Sequence, residues 1–168
     1  MPIFKRIKLL DNLKASGQEL DRNCNAATRI KNVTGATLAV NEFDHEGRII
    51  TLNAAAGVAV TLPASVGGGA KYKFIIGTTI TSVGTTIKVA NTTDAFQGWS
   101  NYVGDDAAAL TGFIAVAGTD DTVTLNGTTT GGYVGDTVEF IDVGAGRWQV
   151  EIFGKATGTE ATPFSATV

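Results

Sequence analysis

The sequence is poor in the residues that build disulfide frameworks, metal centres and membrane spans. It has one cysteine, one histidine and three prolines among 168 residues, and charged residues make up 17%. A single cysteine excludes a disulfide within the chain, and a single histidine excludes a histidine-rich metal site. No apolar run reaches the roughly 18 residues of a spanning helix, and the first residues lack the apolar stretch of a signal peptide. These absences predict a protein without a membrane segment that assembles in a reducing cytosol.

Groups that could carry catalysis are equally scarce. His45 offers at most a lone general base, and we predict that it is a solvated turn or interface residue. Cys24 would need a neighbouring histidine to act as a nucleophile, so we expect it to be a small, semi-apolar filler. The net charge of −3 provides no basic field that would attract nucleic acid. The sequence therefore predicts no enzyme, no cofactor and no nucleic-acid partner.

Two acidic pairs, Asp105-Asp106 and Asp120-Asp121, lie in glycine-containing stretches. Adjacent acids in loops can bind calcium, but the residue spacing of an EF-hand is missing here. Neighbouring side chains on a strand also point to opposite faces of the sheet. We therefore expect solvated turn residues at these positions and no metal site.

Glycine and threonine are what the chain has in excess. There are 21 glycines, and threonines recur in stretches such as residues 127–132. Threonine is β-branched and favours strands, whereas glycine supplies turns that need a positive φ. Together they predict an all-β fold, a β-sandwich or β-barrel of many short strands.

Alternation of apolar and polar residues predicts strands along most of the chain from residue 32 onward. The clearest hairpin joins residues 137–143 to residues 147–153 through a glycine-containing loop, with Trp148, Val150 and Ile152 on one face. Asn126-Gly127 predicts a tight turn at the end of a strand at residues 121–126. The other strands are predicted at residues 36–40, 48–53, 58–62, 71–76, 86–90, 95–99 and 110–116.

The N-terminus differs in texture from the rest of the chain. We predict an N-terminal arm at residues 1–31, a β-rich body at 32–157 and an extended, poorly anchored tail at 158–168. The first 48 residues carry eight of the thirteen basic side chains, which fits an arm that meets a different surface and equally fits a solvated N-terminus. A short amphipathic helix and an extended arm both fit, and neither is stable alone. Docking would bury the apolar residues of the arm, which are Ile3, Phe4, Ile7 and Leu10.

Trp99 and Tyr102 are the candidate surface residues of the body. They lie in the polar stretch Gly98-Trp99-Ser100-Asn101-Tyr102. Exposed aromatic side chains anchor interfaces, so both residues are predicted to contribute to an interface or a ligand site. An ordinary strand edge is the alternative interpretation.

Several short segments of the sequence resemble small virion proteins of tailed phages. They are ITLNAAAGVAVTLP at residues 50–63, GGGAKYKF at 67–74, VANTTDAFQG at 89–98 and ATGTEATPF at 156–164. This resemblance of texture and short phrases covers roughly residues 32–164 and includes no catalytic signature. It implies a capsid decoration, or cement, protein with a β-rich body.

The resemblance also implies partners and a location. Such a protein is often a homotrimer that clamps neighbouring subunits of the major capsid protein on the outer surface of the virion, after assembly in the host cytoplasm. In that setting the N-terminal arm becomes the candidate contact with the capsid or with a neighbouring subunit. The alternative is a receptor- or glycan-binding module of a head or tail fibre, in which Trp99 and Tyr102 contact host sugars.

Overall fold

The alternating stretches of the sequence form twelve strands and one short helix within residues 29–105 and 110–168, the residues that the computed structural model describes. In chain order the elements are β1 (Ile30–Val33), β2 (Thr37–Ala39), α1 (Glu42–His45), β3 (Ile49–Leu52), β4 (Ala59–Thr61), β5 (Lys71–Ile76), β6 (Thr85–Lys88), β7 (Ala95–Val103), β8 (Leu110–Ile114), β9 (Thr122–Leu125), β10 (Thr137–Gly144), β11 (Arg147–Lys155) and β12 (Phe164–Ser165). Within the described ranges no helix has the length and apolar character needed to cross a membrane.

The strands form two mixed sheets, so the predicted all-β fold is confirmed as a sandwich. The seven-stranded sheet has the order β1-β3-β5-β10-β11-β7-β8, and the five-stranded sheet has the order β12-β9-β6-β4-β2. Neighbours pair in parallel at β3–β5, β7–β11, β2–β4 and β4–β6, and the β5–β10, β10–β11, β7–β8, β6–β9 and β9–β12 pairs are antiparallel. Because parallel neighbours need a crossover connection, part of each sheet is assembled from strands distant in sequence.

The core lies between the two sheets and follows directly from the alternation. In β5, Tyr72 and Phe74 are buried while Lys71 and Lys73 are exposed, because successive strand side chains point to opposite faces. The rings of Phe74 and Phe140 pack edge to face, with centroids 6.0 Å apart. The predicted common face of the second hairpin strand is confirmed, and its residues Trp148, Val150 and Ile152 are completely buried.

Two predicted turns are also confirmed. The β10–β11 hairpin pairs Val138 with Ile152, and a register irregularity between Asp142 and Gly144 precedes its turn. The Asn126-Gly127 turn follows β9, and Gly127 has a φ of 78°, which is the conformation that favours glycine.

The prediction of a poorly anchored tail is wrong. Phe164 is buried, and β12 pairs with β9 at the edge of the five-stranded sheet. The backbone N–H groups of Thr167 and Val168 donate to the carboxylate of Asp121 at 2.8 and 3.2 Å. The sequence does not predict the anchoring of the tail because a two-residue strand is too short to produce a periodic pattern.

Candidate functional site on the outer face of the seven-stranded sheet

One end of the seven-stranded sheet presents an unusually apolar outer face. We call this surface the β8 patch and define it by five exposed side chains from β7, β8 and β11, which are Trp99, Val103, Leu110, Ile114 and Phe153. The β7–β8 register pairs Trp99 with Ile114 and Val103 with Leu110, so these pairs lie side by side on one face. Their exposed fractions run from 42% at Trp99 to 80% at Ile114, which leaves most of this apolar surface in water.

The rest of the same face mixes apolar and charged side chains, because Ile49 and Ile141 lie beside Lys73 and Lys71 in register. The outward residues of β5 include Lys71 and Lys73, and Lys73 pairs in register with Glu139 of β10. Glu139 in turn pairs with Glu151 of β11. Soluble monomers rarely expose a contiguous apolar patch of several hundred Å², and such patches mark interaction sites. The cluster of five exposed apolar side chains on adjacent strands therefore marks the β8 patch as a candidate binding surface.

The β8 strand is also the edge of the seven-stranded sheet that residues 29–105 and 110–168 form. Among the strands of the described residues, β8 pairs only with β7. Proteins commonly protect an edge strand with lysine, proline or an inward-pointing charge. The β8 sequence, Leu110-Thr111-Gly112-Phe113-Ile114, contains none of these. Backbone groups along an edge strand can accept an added strand, and the β8 side chains can bury against a partner.

The two predicted surface aromatics have different environments. Trp99 lies on the outer face and is 42% exposed, whereas Tyr102 is completely buried. The prediction that Tyr102 is a surface interface residue is therefore wrong. Its hydroxyl donates to the carbonyl oxygen of Thr130 at 2.9 Å, and burial raises its pKa. The three-residue spacing explains the difference, because odd spacings along a strand place side chains on opposite faces.

The arm residues predicted to contact a capsid or a neighbouring subunit lie outside the described residues. They are Ile3, Phe4, Ile7 and Leu10, and Cys24 lies outside as well. Their role stays a prediction.

The acidic residues mostly organise the loops. The pair Asp120 and Asp121 is buried, so the expectation of solvated turn residues at these positions is wrong. Asp120 accepts from the N–H of Val116 at 2.7 Å, and Asp121 accepts from the tail. A buried carboxylate costs little when backbone N–H groups satisfy it, which explains why these positions tolerate burial.

Asp142 is the most heavily hydrogen-bonded of these carboxylates. It accepts from the hydroxyl of Ser65 at 2.7 Å and from the N–H groups of Val66, Gly67 and Gly68 at 2.8 to 3.0 Å. Desolvation raises the pKa of Asp142, but these hydrogen bonds outweigh it and hold the pKa below the ordinary value. The β4–β5 loop is thereby fixed to the β10–β11 hairpin.

Asp136 shows the opposite balance between the same two effects. It accepts from the N–H groups of Gly132, Tyr133 and Lys155 at 2.8 to 3.0 Å. Desolvation nevertheless dominates and raises the pKa of its carboxyl. A raised carboxyl pKa can indicate a general acid. Here the carboxylate faces backbone N–H groups at a turn, which indicates a structural role.

His45 is buried, so the prediction of a solvated histidine is wrong. It is the last residue of α1, whose N-cap Asn41 accepts from the N–H of Asp44 at 2.8 Å. The ring Nδ1 lies 3.2 Å from both the N and the O of Asn41. Desolvation lowers the pKa of His45, so the neutral ring is favoured in the folded state.

No cluster of three or more potential metal ligands occurs in the described ranges. Asp105 is exposed and accepts from the N–H of Gly158 at 3.2 Å, while Asp106 lies outside those ranges.

Comparison with known protein families, with curated proteins and with solved structures finds no match to the chain.

Proposed function

We propose that the chain is a structural protein of a phage virion, a decoration protein that attaches to the outer surface of the capsid. The observation that carries the proposal is the β8 patch, five apolar side chains exposed beside a strand that is the edge of its sheet in the described part of the chain. Burying apolar surface yields roughly 25 cal/mol per Å², so a patch of this kind favours association with another protein surface. Because residues 32–164 resemble small virion proteins, we take the capsid shell as the proposed partner.

Binding at several equivalent sites at once strengthens attachment through a patch of modest affinity. A decoration protein faces many equivalent sites, and a trimer on a symmetry axis uses the same patch about three times. Detachment then requires all contacts to release together, so the apparent affinity exceeds that of one contact. The body supports such a role because buried carboxylates such as Asp136 and Asp142 fix its loops and keep its surface rigid.

Virions of the phage that encodes the chain provide the test. We expect mass spectrometry to find the chain in purified particles, and cryo-electron microscopy to place it on the shell. The double variant Val103→Ser/Leu110→Ser should fold but fail to sediment with particles that lack the natural protein. Phe43→Ser is the matched control because Phe43 is 90% exposed on α1, away from the patch strands. Absence from purified virions, or full binding by the double variant, would defeat the proposal.

The oligomeric state and the arm are tested separately. Light scattering of the full chain should give about three chains per particle if the body is a trimer. Deleting residues 1–31 should leave a soluble, folded body that no longer binds capsids if the arm docks on the shell. A monomer at high concentration argues against the trimer, and unchanged capsid binding argues against the arm.

The second candidate function is a receptor- or glycan-binding module of a head or tail fibre. Its support is the exposed ring of Trp99 at the end of the patch. The same cryo-electron microscopy map separates the two functions, because density at the tail rather than over the shell would favour this candidate.

A further inference from the structure

A shallow pocket opens on the outer face where β7, β11 and the segment after β8 meet. It encloses about 410 Å³, which lies within the usual range for small-molecule sites. Trp99 and Ile114 form apolar walls, Gln97 and Gln149 supply amides, and the small residues Gly98, Ala115 and Ala117 leave the floor open. The pocket therefore combines one large aromatic surface with two groups that both donate and accept hydrogen bonds.

Strand register explains how the amides come together. Gln97 and Gln149 are direct partners in the parallel β7–β11 pair, and both point outward because Phe96 and Trp148 beside them are buried. Adjacent strands lie about 4.8 Å apart, so the two amides form a polar row at one end of the pocket. The neighbouring row pairs Glu151 with Trp99.

The amide of Gln149 is already oriented. Its Nε2 donates to the carboxylate of Glu151 at 3.2 Å, so its Oε1 is the atom left to accept from a ligand. No hydrogen bond found in the described part of the chain involves the side chain of Gln97. That amide can therefore donate and accept toward a bound molecule.

Close contact between β7 and β11 fixes this geometry. Gly98 has a φ of 145°, and a Cβ at this position would overlap the carbonyl oxygen of Val150. Only glycine lets the two backbones approach so closely between Gln97 and Trp99. The amide row and the tryptophan ring are thus held on a rigid part of the sheet, which is the condition for a preorganised site.

These groups match the chemistry of a sugar ring. A pyranose has a face of C–H groups, which packs on the electron-rich face of an indole, and an edge of hydroxyls, which pairs with amides and carboxylates. The carboxylate of Glu151 disfavours an anionic ligand, and the guanidinium of Arg147 is turned toward Gly144. A nucleotide fits less well because its phosphate would approach the same carboxylate.

We propose that the pocket binds a neutral hexopyranose, stacked on Trp99 and hydrogen-bonded by Gln97 and Gln149. One open site of this size gives a dissociation constant on the order of 1 mM for a monosaccharide. The inference deepens the second candidate function, sugar binding at Trp99, and does not rest on capsid attachment. Because Trp99 and Ile114 also belong to the β8 patch, the proposed sugar site is that of the free protein.

The two tryptophans of the chain make the test direct. Trp148 is completely buried and Trp99 is 42% exposed, so a ligand in the pocket changes mainly the emission of Trp99. The free full-length protein is titrated with the methyl pyranosides of glucose, galactose, mannose and N-acetylglucosamine, with glucuronate as the anionic comparator. Saturation-transfer NMR provides a second readout that does not depend on fluorescence.

We expect saturable binding of at least one neutral sugar and weaker binding of glucuronate. Gln97→Ala and Gln149→Ala should each weaken binding about fivefold, the effect of losing one hydrogen bond. Trp99→Ala should abolish the saturation-transfer signal. Leu110→Ser is the matched control, because Leu110 belongs to the β8 patch but lies outside the pocket, and its sugar affinity should be unchanged.

Three outcomes would overturn the inference. The first is that no neutral sugar gives a saturable signal up to roughly 50 mM, far above the expected dissociation constant. The second is that the folded glutamine variants bind sugar with unchanged affinity. The third is that glucuronate binds as tightly as the neutral sugars or more tightly. Capsid attachment is read separately, with Val103→Ser/Leu110→Ser expected to lose it and Gln97→Ala/Gln149→Ala expected to retain it. Either proposal can thus fail while the other stands.

Discussion

Replacing Asp142 with asparagine tests whether buried carboxylates hold this sandwich together. The side chain is 3% exposed, and it accepts from the N–H groups of Val66, Gly67 and Gly68 as well as from the hydroxyl of Ser65. Asparagine has nearly the same shape, and its one amide oxygen can still face the three N–H groups. What the Asp142→Asn variant loses is the negative charge that strengthens those hydrogen bonds.

The expected cost follows from the number of bonds. A hydrogen bond to a charged group contributes roughly 1 kcal/mol more than a neutral one, so three such bonds predict a loss of up to about 3 kcal/mol, reduced by the desolvation cost that the neutral amide no longer incurs. Against a typical total of roughly 5–15 kcal/mol this is a large effect. It corresponds to a fall in Tm of about 6–12 °C for a chain of this size. Urea unfolding at pH 7, followed by the emission of buried Trp148, measures it.

Acidification gives the prediction a second, independent check. The folded-state pKa of Asp142 lies below its ordinary value of 3.8, so its ionised form stabilises the fold above that pH. The contribution is lost as the pH falls below 3.8 and through the folded-state pKa. The difference between wild type and Asp142→Asn should therefore shrink at low pH, where the natural carboxyl is itself protonated.

Glu46→Gln is the control, because Glu46 is exposed and its replacement should change stability by less than about 0.5 kcal/mol. The reasoning is refuted if Asp142→Asn is no less stable than this control. It is also refuted if the destabilisation stays constant from pH 7 to roughly pH 3, below the ordinary carboxyl pKa.

Three further perturbations probe the backbone, the buried histidine and the tail. Gly98→Ala should lower the free energy of unfolding in urea by about 2–4 kcal/mol, because the added Cβ overlaps a carbonyl of β11. The control Gly118→Ala has a φ of 79° and open space around it, so it should cost only about 1–2 kcal/mol. Equal costs would contradict the close approach of β7 and β11. Because the folded-state pKa of His45 is lowered, the free energy of unfolding should decline as the pH falls through 6.5, the ordinary histidine pKa. His45→Gln should remove this dependence of stability on pH. An unchanged dependence in the variant would exclude His45 as its source. Deleting residues Thr167–Val168 removes two N–H donors from Asp121 and should cost roughly 1–3 kcal/mol, and a deletion with no effect would show that the tail contact contributes nothing.

Local pattern was sufficient for the fold class and for most strands. The alternation in Lys71–Ile76 and in Arg147–Lys155 gives the inward and outward faces correctly, because the two-residue period of a strand is fixed by backbone geometry. The hairpin and the Asn126-Gly127 turn were predictable for the same reason, since both are decided by neighbours in sequence. The strand β12 spans a single two-residue period, so it produces no repeated pattern that the sequence could reveal.

Burial of polar residues needed the tertiary structure. Asp120, Asp121 and His45 have loop-like surroundings in the sequence, and solvent exposure was the natural expectation. The partners that bury them include the N–H groups of Thr167 and Val168, which follow Asp121 by more than 40 residues. A single sequence does not reveal which distant backbone groups will satisfy a given carboxylate.

The candidate site likewise depends partly on local sequence pattern and partly on tertiary structure. Composition and alternation are enough to predict an all-β fold and to name Trp99 and Tyr102 as surface candidates, of which Trp99 is exposed. Strand order comes from tertiary packing: β7 lies between β11 and β8, which places Gln97 beside Gln149 and Trp99 beside Ile114. Strand order and register depend on how two sheets bury their apolar faces against each other, and that is a property of the whole chain rather than of any local segment.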